Sequence, residues 1–195
     1  MSRLTGAAAA VLVGGEGRRM GGVRKPLLTV QGRRVLDREL EVLDPLFDTV
    51  MLLADAAAPF AGFGRRVILD EAPGRGPLPA IAAALRALGR PLFVVAGDMP
   101  FLAAAPIELT VRRALASGAD VAVPFTGGHP EPLHACYLPS CLAAIEASLA
   151  GGQLAVMGFY DRVRLCRVEE PELRALAPDL AFLRNLNTPG ALGGG

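Results

Sequence analysis

Short apolar runs alternate with amphipathic stretches along almost the whole chain. Residues 7–13, 49–54, 66–69, 92–96 and 121–124 are rich in Ala, Val and Leu and lack a clear polar alternation. Such runs predict strands covered on both faces. Between them, Val35, Leu36, Leu40 and Leu43 form a helical stripe, with Asp37, Arg38, Glu39 and Glu41 read as the polar face opposite. Ile81, Leu85 and Leu88 form a second stripe after Pro79, and Ile107, Val111 and Leu115 a third after Pro106. Proline in a first helical turn is tolerated, since its missing N–H would lack an intrahelical partner anyway. Further on, 133–137 and 164–168 read as strands and 139–149 as a helix. Strand alternating with helix predicts an α/β fold, a mostly parallel sheet between two helical layers. No linker divides the chain, so 1–195 is expected to form one domain.

Composition narrows the function classes. Twenty basic residues face nineteen acidic ones, for a formal net charge of +1. No global field is then available to hold a nucleic acid or an anionic membrane, and any phosphate site must be local. With 52% hydrophobic residues and balanced charge, the chain does not read as disordered. Cys136, Cys141 and Cys166 sit at no metal or redox spacing, which suits a reducing compartment. The apolar run at 7–13 ends in Gly14-Gly15-Glu16-Gly17-Arg18-Arg19, unlike a signal-peptide cleavage site. No stretch approaches the roughly 18 uninterrupted apolar residues of a membrane span. The expected location is the cytoplasm.

Chemistry concentrates after the first strand. Residues 14–25 carry five glycines and four cations (Arg18, Arg19, Arg24 and Lys25). Glycine permits positive φ and close backbone approach, so successive N–H groups can point at one anion. In open α/β sheets, ligands lie beyond the carboxyl ends of strands, where this loop is expected. It matches neither the dinucleotide fingerprint, because Met20 stands where glycine is required, nor the Walker loop, because Val23 and Arg24 follow Gly22. The fourth expected strand ends in Gly97-Asp98-Met99-Pro100. Asp98 is either a hard oxygen ligand for Mg2+ beside polyphosphate or the N-cap of the next helix. Asp70 ends the third expected strand and leads into Gly74-Arg75-Gly76-Pro77-Leu78. His129 and His134 have no suitably placed Ser or Cys partner and read as loop or packing residues.

Taken together, these stretches resemble the molybdenum cofactor guanylyltransferase (MobA) family. The resemblance is carried by Leu12 through Lys25, by Asp70 with Gly76-Pro77-Leu78, by Asp98-Met99-Pro100, and by Asn185-Leu186-Asn187-Thr188-Pro189. It implies a Rossmann-like, three-layer αβα nucleotidyltransferase fold, with residues 1–100 as nucleotide-binding half and 101–195 as acceptor-binding half. It also implies transfer of GMP from GTP to molybdopterin with release of pyrophosphate, and Mg2+ as cofactor. Leu12, Val13, Gly14, Gly15, Lys25, Asp70 and Asp98 would then form the GTP site. Lys25 would contact phosphates, Asp98 would ligate the metal, and Arg19 would be a further phosphate clamp. Asn185 and Asn187 would lie by the acceptor, while 127–132 could border the pterin pocket. Contact with proteins that deliver molybdopterin or receive the product would be transient. One departure follows the second strand, where the family tends to present an asparagine near the nucleotide and this chain has Leu53-Ala54-Asp55: either Asp55 replaces it or the contact is lost. Two alternatives stay open: a sister enzyme using CTP or another phosphate acceptor, and a nucleotide-binding protein without catalysis. Gly15 favours the guanylyl branch, and the Asn-Thr-Pro ending favours a pterin acceptor.

Overall fold

In the first strand, Ala8–Leu12 (β1), alternate side chains enter two different cores. Ala9 and Val11, with Ala7 just before the strand, pack with Leu36, Leu40 and Leu43 of Val35–Leu43 (α1) and with Ile107 and Val111 of Ala104–Ser117 (α3). Ala8 and Ala10 join Ile81 and Leu85 of Leu78–Leu88 (α2) and Ile145 of Leu142–Ala150 (α4). A strand with period two, buried on both faces, therefore creates the middle layer of three. This computed structural model describes residues 3–14 and 24–186.

The other strands are Thr29–Val30 (β2), Arg33–Arg34 (β3), Val50–Ala54 (β4), Val67–Leu69 (β5), Leu92–Ala96 (β6), Val121–Thr126 (β7), His129–Pro130 (β8), His134–Tyr137 (β9) and Leu165–Glu169 (β10). The main sheet has the order β10-β7-β9-β6-β1-β4-β5, with β8 paired to β7. β1 is parallel to β4 on one side and to β6 on the other. The chain leaves β1 through α1 toward β4 and β5, then returns through α2 to β6 across β1. That reversal opens a crevice at the strands' carboxyl ends.

The expected strands and helices are present, with three differences of physical interest. The 133–137 strand runs antiparallel between β6 and β7. Its direction follows from the β7–β8 hairpin, whose Gly127 and Gly128 have φ of 55° and 82° and turn the chain straight back. A short hairpin cannot supply the crossover that a parallel neighbour needs. Second, α3 starts at Ala104 behind Ala103, so Asp98 does not cap it. Third, Glu39 is not on a solvated face: it is fully buried. It lies three residues after Leu36 and four before Leu43, on the apolar stripe itself. A further helix, Glu170–Leu176 (α5), is capped reciprocally by Glu169 and Glu172.

Candidate active site

The crevice is a cleft of about 400 Å³ at the carboxyl ends of β1, β4, β5 and β6. Leu12, Gly14, Lys25, Asp70, Gly97 and Asp98 are among its lining residues. Its floor depends on close backbone packing. The Gly97 N–H donates to the Leu12 carbonyl at 2.9 Å. A Cβ on Gly97 would stand 2.8 Å from that same oxygen and 3.0 Å from Pro26 Cγ, so a larger residue would force the strands apart. Gly14 is similarly constrained, since a Cβ there would meet the Asp55 nitrogen at 3.0 Å.

Two opposite charges meet in this cleft from distant parts of the chain. Lys25 opens the short 3-10 turn Lys25–Leu27, and its Nζ donates to Asp98 Oδ2 at 2.7 Å. Their side chains are 29% and 18% exposed, sheltered yet open to a ligand. Beside them Arg24 donates through Nη1 to Asp55 Oδ1 at 2.7 Å and through Nη2 to Oδ2 at 3.4 Å. The guanidinium also lies 5.6 Å from the centroid of Phe60. Its hydrogen bond holds the Asp55 carboxyl below the usual aspartate range.

The loop bearing Asp98 is tied on several sides. The Asp98 carbonyl accepts from Leu186 N–H at 2.9 Å, the Pro100 carbonyl from Arg38 Nε at 3.0 Å, and Met99 N–H donates to Glu39 Oε1 at 3.0 Å. Burial pushes the Glu39 carboxyl well above its ordinary pKa; the Met99 hydrogen bond lowers it and the nearby Asp98 charge raises it further.

Other expected site residues fall as follows. The Val13 side chain is buried in the α1/α3 core and is not among the cleft-lining residues, and its N–H donates to the Leu53 carbonyl. Asp70 lines the cleft and accepts from Ala72 N–H through Oδ1 at 2.9 Å, which tightens the turn toward Gly74 and Gly76. Asn185 is exposed and adjoins Leu186, which reaches the Asp98 carbonyl. Gly15, Arg19 and Asn187 lie outside the described residues. Leu133 also contributes to the cleft lining. His134 is buried between Phe93 and Phe182, with ring centroids 5.0 and 4.9 Å away. Burial pushes its pKa down to about 4, in keeping with a packing role. Sequence reading missed Glu39, whose three- and four-residue offsets from stripe leucines were the available signal.

A second depression, about 570 Å³, lies between the β2–β3 hairpin and α1. Its charges are held in ion pairs, Arg33 with Glu41, Arg34 with Asp37 and Asp44 with Arg65. Among the described residues no group of three metal-ligating side chains occurs. A single carboxylate nevertheless fits Mg2+, which commonly takes one or two protein carboxylates and completes its shell with phosphate oxygens and water. Asp98 suits that role, because Lys25 on Oδ2 is its one side-chain hydrogen-bond partner among the described residues.

Residues 9–163 match the MobA-like NTP transferase domain. The chain belongs to this family. A probable molybdenum cofactor guanylyltransferase of Pelotomaculum thermopropionicum is 40% identical over 184 residues, covering 93% of this chain and 88% of that one. The molybdenum cofactor guanylyltransferase of Desulfosudis oleivorans is 34% identical over 179 residues, covering 91% and 88%. The crystal structure of molybdopterin-guanine dinucleotide biosynthesis protein A from Archaeoglobus fulgidus superposes with a TM-score of 0.82 at 27% identity, covering 95% of this chain and 94% of that one. The αβα nucleotidyltransferase fold and its transferase chemistry are thus those of the MobA-like family. Among the described residues of this MobA-like chain, no helix is long and apolar enough to cross a membrane.

Proposed function

We propose that this chain transfers GMP from GTP to the terminal phosphate of molybdopterin, forming the guanine dinucleotide cofactor and releasing pyrophosphate. The observation that carries the reading is the Lys25–Asp98 pair in the cleft beside β1 and β6. An ammonium and a carboxylate held together at the mouth of a nucleotide-sized crevice can separate onto a metal-bound triphosphate. The names of the MobA-like relatives supply the base and the acceptor.

The acceptor phosphate is already an anion at neutral pH, so no protein base is required. One of its oxygens attacks the α-phosphorus in line, a new phosphorus–oxygen bond forms, and the bond to pyrophosphate breaks. The chain's task is alignment and charge neutralisation. Lys25 would leave Asp98 for the β- and γ-phosphates and stabilise the departing pyrophosphate. Asp98 would hold Mg2+, which when bound supplies positive charge to the phosphate oxygens. Main-chain groups at Leu12, Val13 and Gly14, with Gly15, would border the nucleotide, Asp70 would face the guanosine, and Arg19 would clamp phosphate. Asn185 and Asn187 would flank the acceptor, so that residues 1–100 serve the nucleotide and 101–195 the acceptor. We place the enzyme in the cytoplasm, in transient contact with proteins that deliver molybdopterin or receive the product.

The test is direct. Incubation with GTP, MgCl2 and molybdopterin should yield the guanine dinucleotide and one pyrophosphate per turnover. A parallel melting series with GTP, CTP, ATP and UTP should show the largest rise with GTP, since a ligand that binds only the native state raises its melting point. Stabilisation by CTP with none by GTP would overturn the guanylyl assignment.

A further inference from the structure

Glu39 is costly where it stands. It has no exposed surface, Oε1 accepts one hydrogen bond, and Oε2 has no partner among the described residues. A leucine or methionine on the same stripe would fill the site without burying a carboxyl group. Packing alone does not account for it.

Its single bond falls at an informative place. Four ties fix successive backbone groups of the 97–100 loop: Gly97 N–H to Leu12, the Asp98 carbonyl to Leu186 N–H, Met99 N–H to Glu39, and the Pro100 carbonyl to Arg38. The first two come from main chain and no side-chain substitution removes them. Arg38 acts two residues beyond Asp98. Glu39 alone among the side chains grips the peptide that joins Asp98 to Met99, and that peptide sets the direction in which Asp98 leaves the strand. Gly97 and Met99 on either side have no charge of their own to aim it.

We infer that Glu39 is a positioning residue: by anchoring the Asp98–Met99 peptide inside the α1 core, it aims the Asp98 carboxylate at the cleft. There Lys25 meets that carboxylate at 2.7 Å, and the metal of a bound nucleotide would meet it in turn. The inference rests on the functional reading above. Outer partners that orient metal ligands commonly act this way, and their loss typically costs about ten- to a hundredfold in metal affinity or activity.

Three variants test it. Glu39→Gln keeps both volume and a carbonyl acceptor, Glu39→Met keeps volume without the acceptor, and Glu39→Asp keeps the acid but withdraws it by one methylene. Two readouts are needed: hydrogen exchange of the Met99 amide without nucleotide, and calorimetric GTP affinity in EDTA and along an MgCl2 titration. The Met and Asp variants should lose Met99 protection and weaken the Mg2+-dependent gain in GTP affinity by about tenfold or more. Their GTP affinity in EDTA should stay that of the parent, and Gln should restore both readouts. If Glu39→Met does not fold, the contrast of Asp with Gln decides alone. An unchanged Mg2+ titration in a folded Met or Asp variant overturns the inference, as does a Gln variant as impaired as the others. Failure of the unaltered protein to bind Mg-GTP at all would instead strike the functional reading.

Discussion

Asp55 supports both residues that flank the 15–23 segment. Gly14 backs onto its main-chain nitrogen, and Arg24 is gripped by its two carboxylate oxygens. Asp55 thus has a partner in Arg24, and the pair ties the residue that follows the glycine-rich segment to the end of β4. Asp55→Ala should raise the KM for GTP by about tenfold through loss of a charge-assisted pair. Its kcat should fall less, because no transferring oxygen is touched, and Asp55→Asn should be milder. Steady-state kinetics at fixed molybdopterin check both. Asp98→Asn should behave differently, lowering kcat by about two orders of magnitude or more. Its melting point should barely move, since a partly exposed ion pair contributes only about 0–1 kcal/mol. Lys25→Ala should raise KM and lower kcat together. Lys25, Asp70 and Asp98 were legible as candidates because the two carboxylates follow buried strands and the lysine closes a glycine-rich, cationic run. That Lys25 meets Asp98 across 73 positions of sequence was not, since pairing is decided by sheet order.

Among the elements, β7 and β10 are joined at their starts by one side chain. Asp120 accepts from Ser140 Oγ at 2.6 Å and from Arg164 N–H at 2.9 Å, linking β7 to the turn before α4 and to the entry of β10. The Ser140 bond first, then those from Arg164, holds its pKa down to about 2. Asp120→Ala should destabilise the protein at pH 7 by about 1–2 kcal/mol. A carboxylate with a lowered folded pKa stabilises fully above its unfolded value, about 3.9, and loses that contribution as pH falls toward 2. The gap between parent and variant in urea denaturation should therefore be constant from pH 7 to 5 and narrow below pH 4. Strand positions were readable from apolar runs because burial on both faces leaves no room for polar alternation. The antiparallel entry of β9 was not, since the decisive feature is positive φ at Gly127 and Gly128 rather than any property of residues 134–137. The β2–β3 hairpin, two residues per strand, is too short to carry a period.

Across the whole molecule, two buried titratable groups push stability in opposite directions with pH. Burial lowers the pKa of His134 to about 4, against about 6.5 in the unfolded chain. Between those values the unfolded state binds the extra proton, so this histidine makes stability rise with pH. Burial raises the pKa of Glu39 well above its ordinary value. Above about pH 4.5 the folded state holds a proton that the unfolded chain has released, so this glutamate makes stability fall as pH rises. Both groups lie in the α1/α3 side of the molecule, His134 beside Phe93 and Glu39 on α1, and neither is placed on the reaction path. Where the falling slope from Glu39 overlaps the rise from His134, which ends at about pH 6.5, the two oppose, and the unaltered protein should show a shallower stability profile than a variant lacking either group. Glu39→Gln removes the falling contribution, and its unfolding free energy should then climb with pH at up to about 1.4 kcal/mol per unit. His134→Phe, set between two phenylalanines, removes the rising one, and stability should then decline with pH over the same window. Urea titrations of the three proteins at half-unit steps distinguish these slopes. Parallel profiles for all three would mean that neither group is held away from its ordinary pKa by the fold.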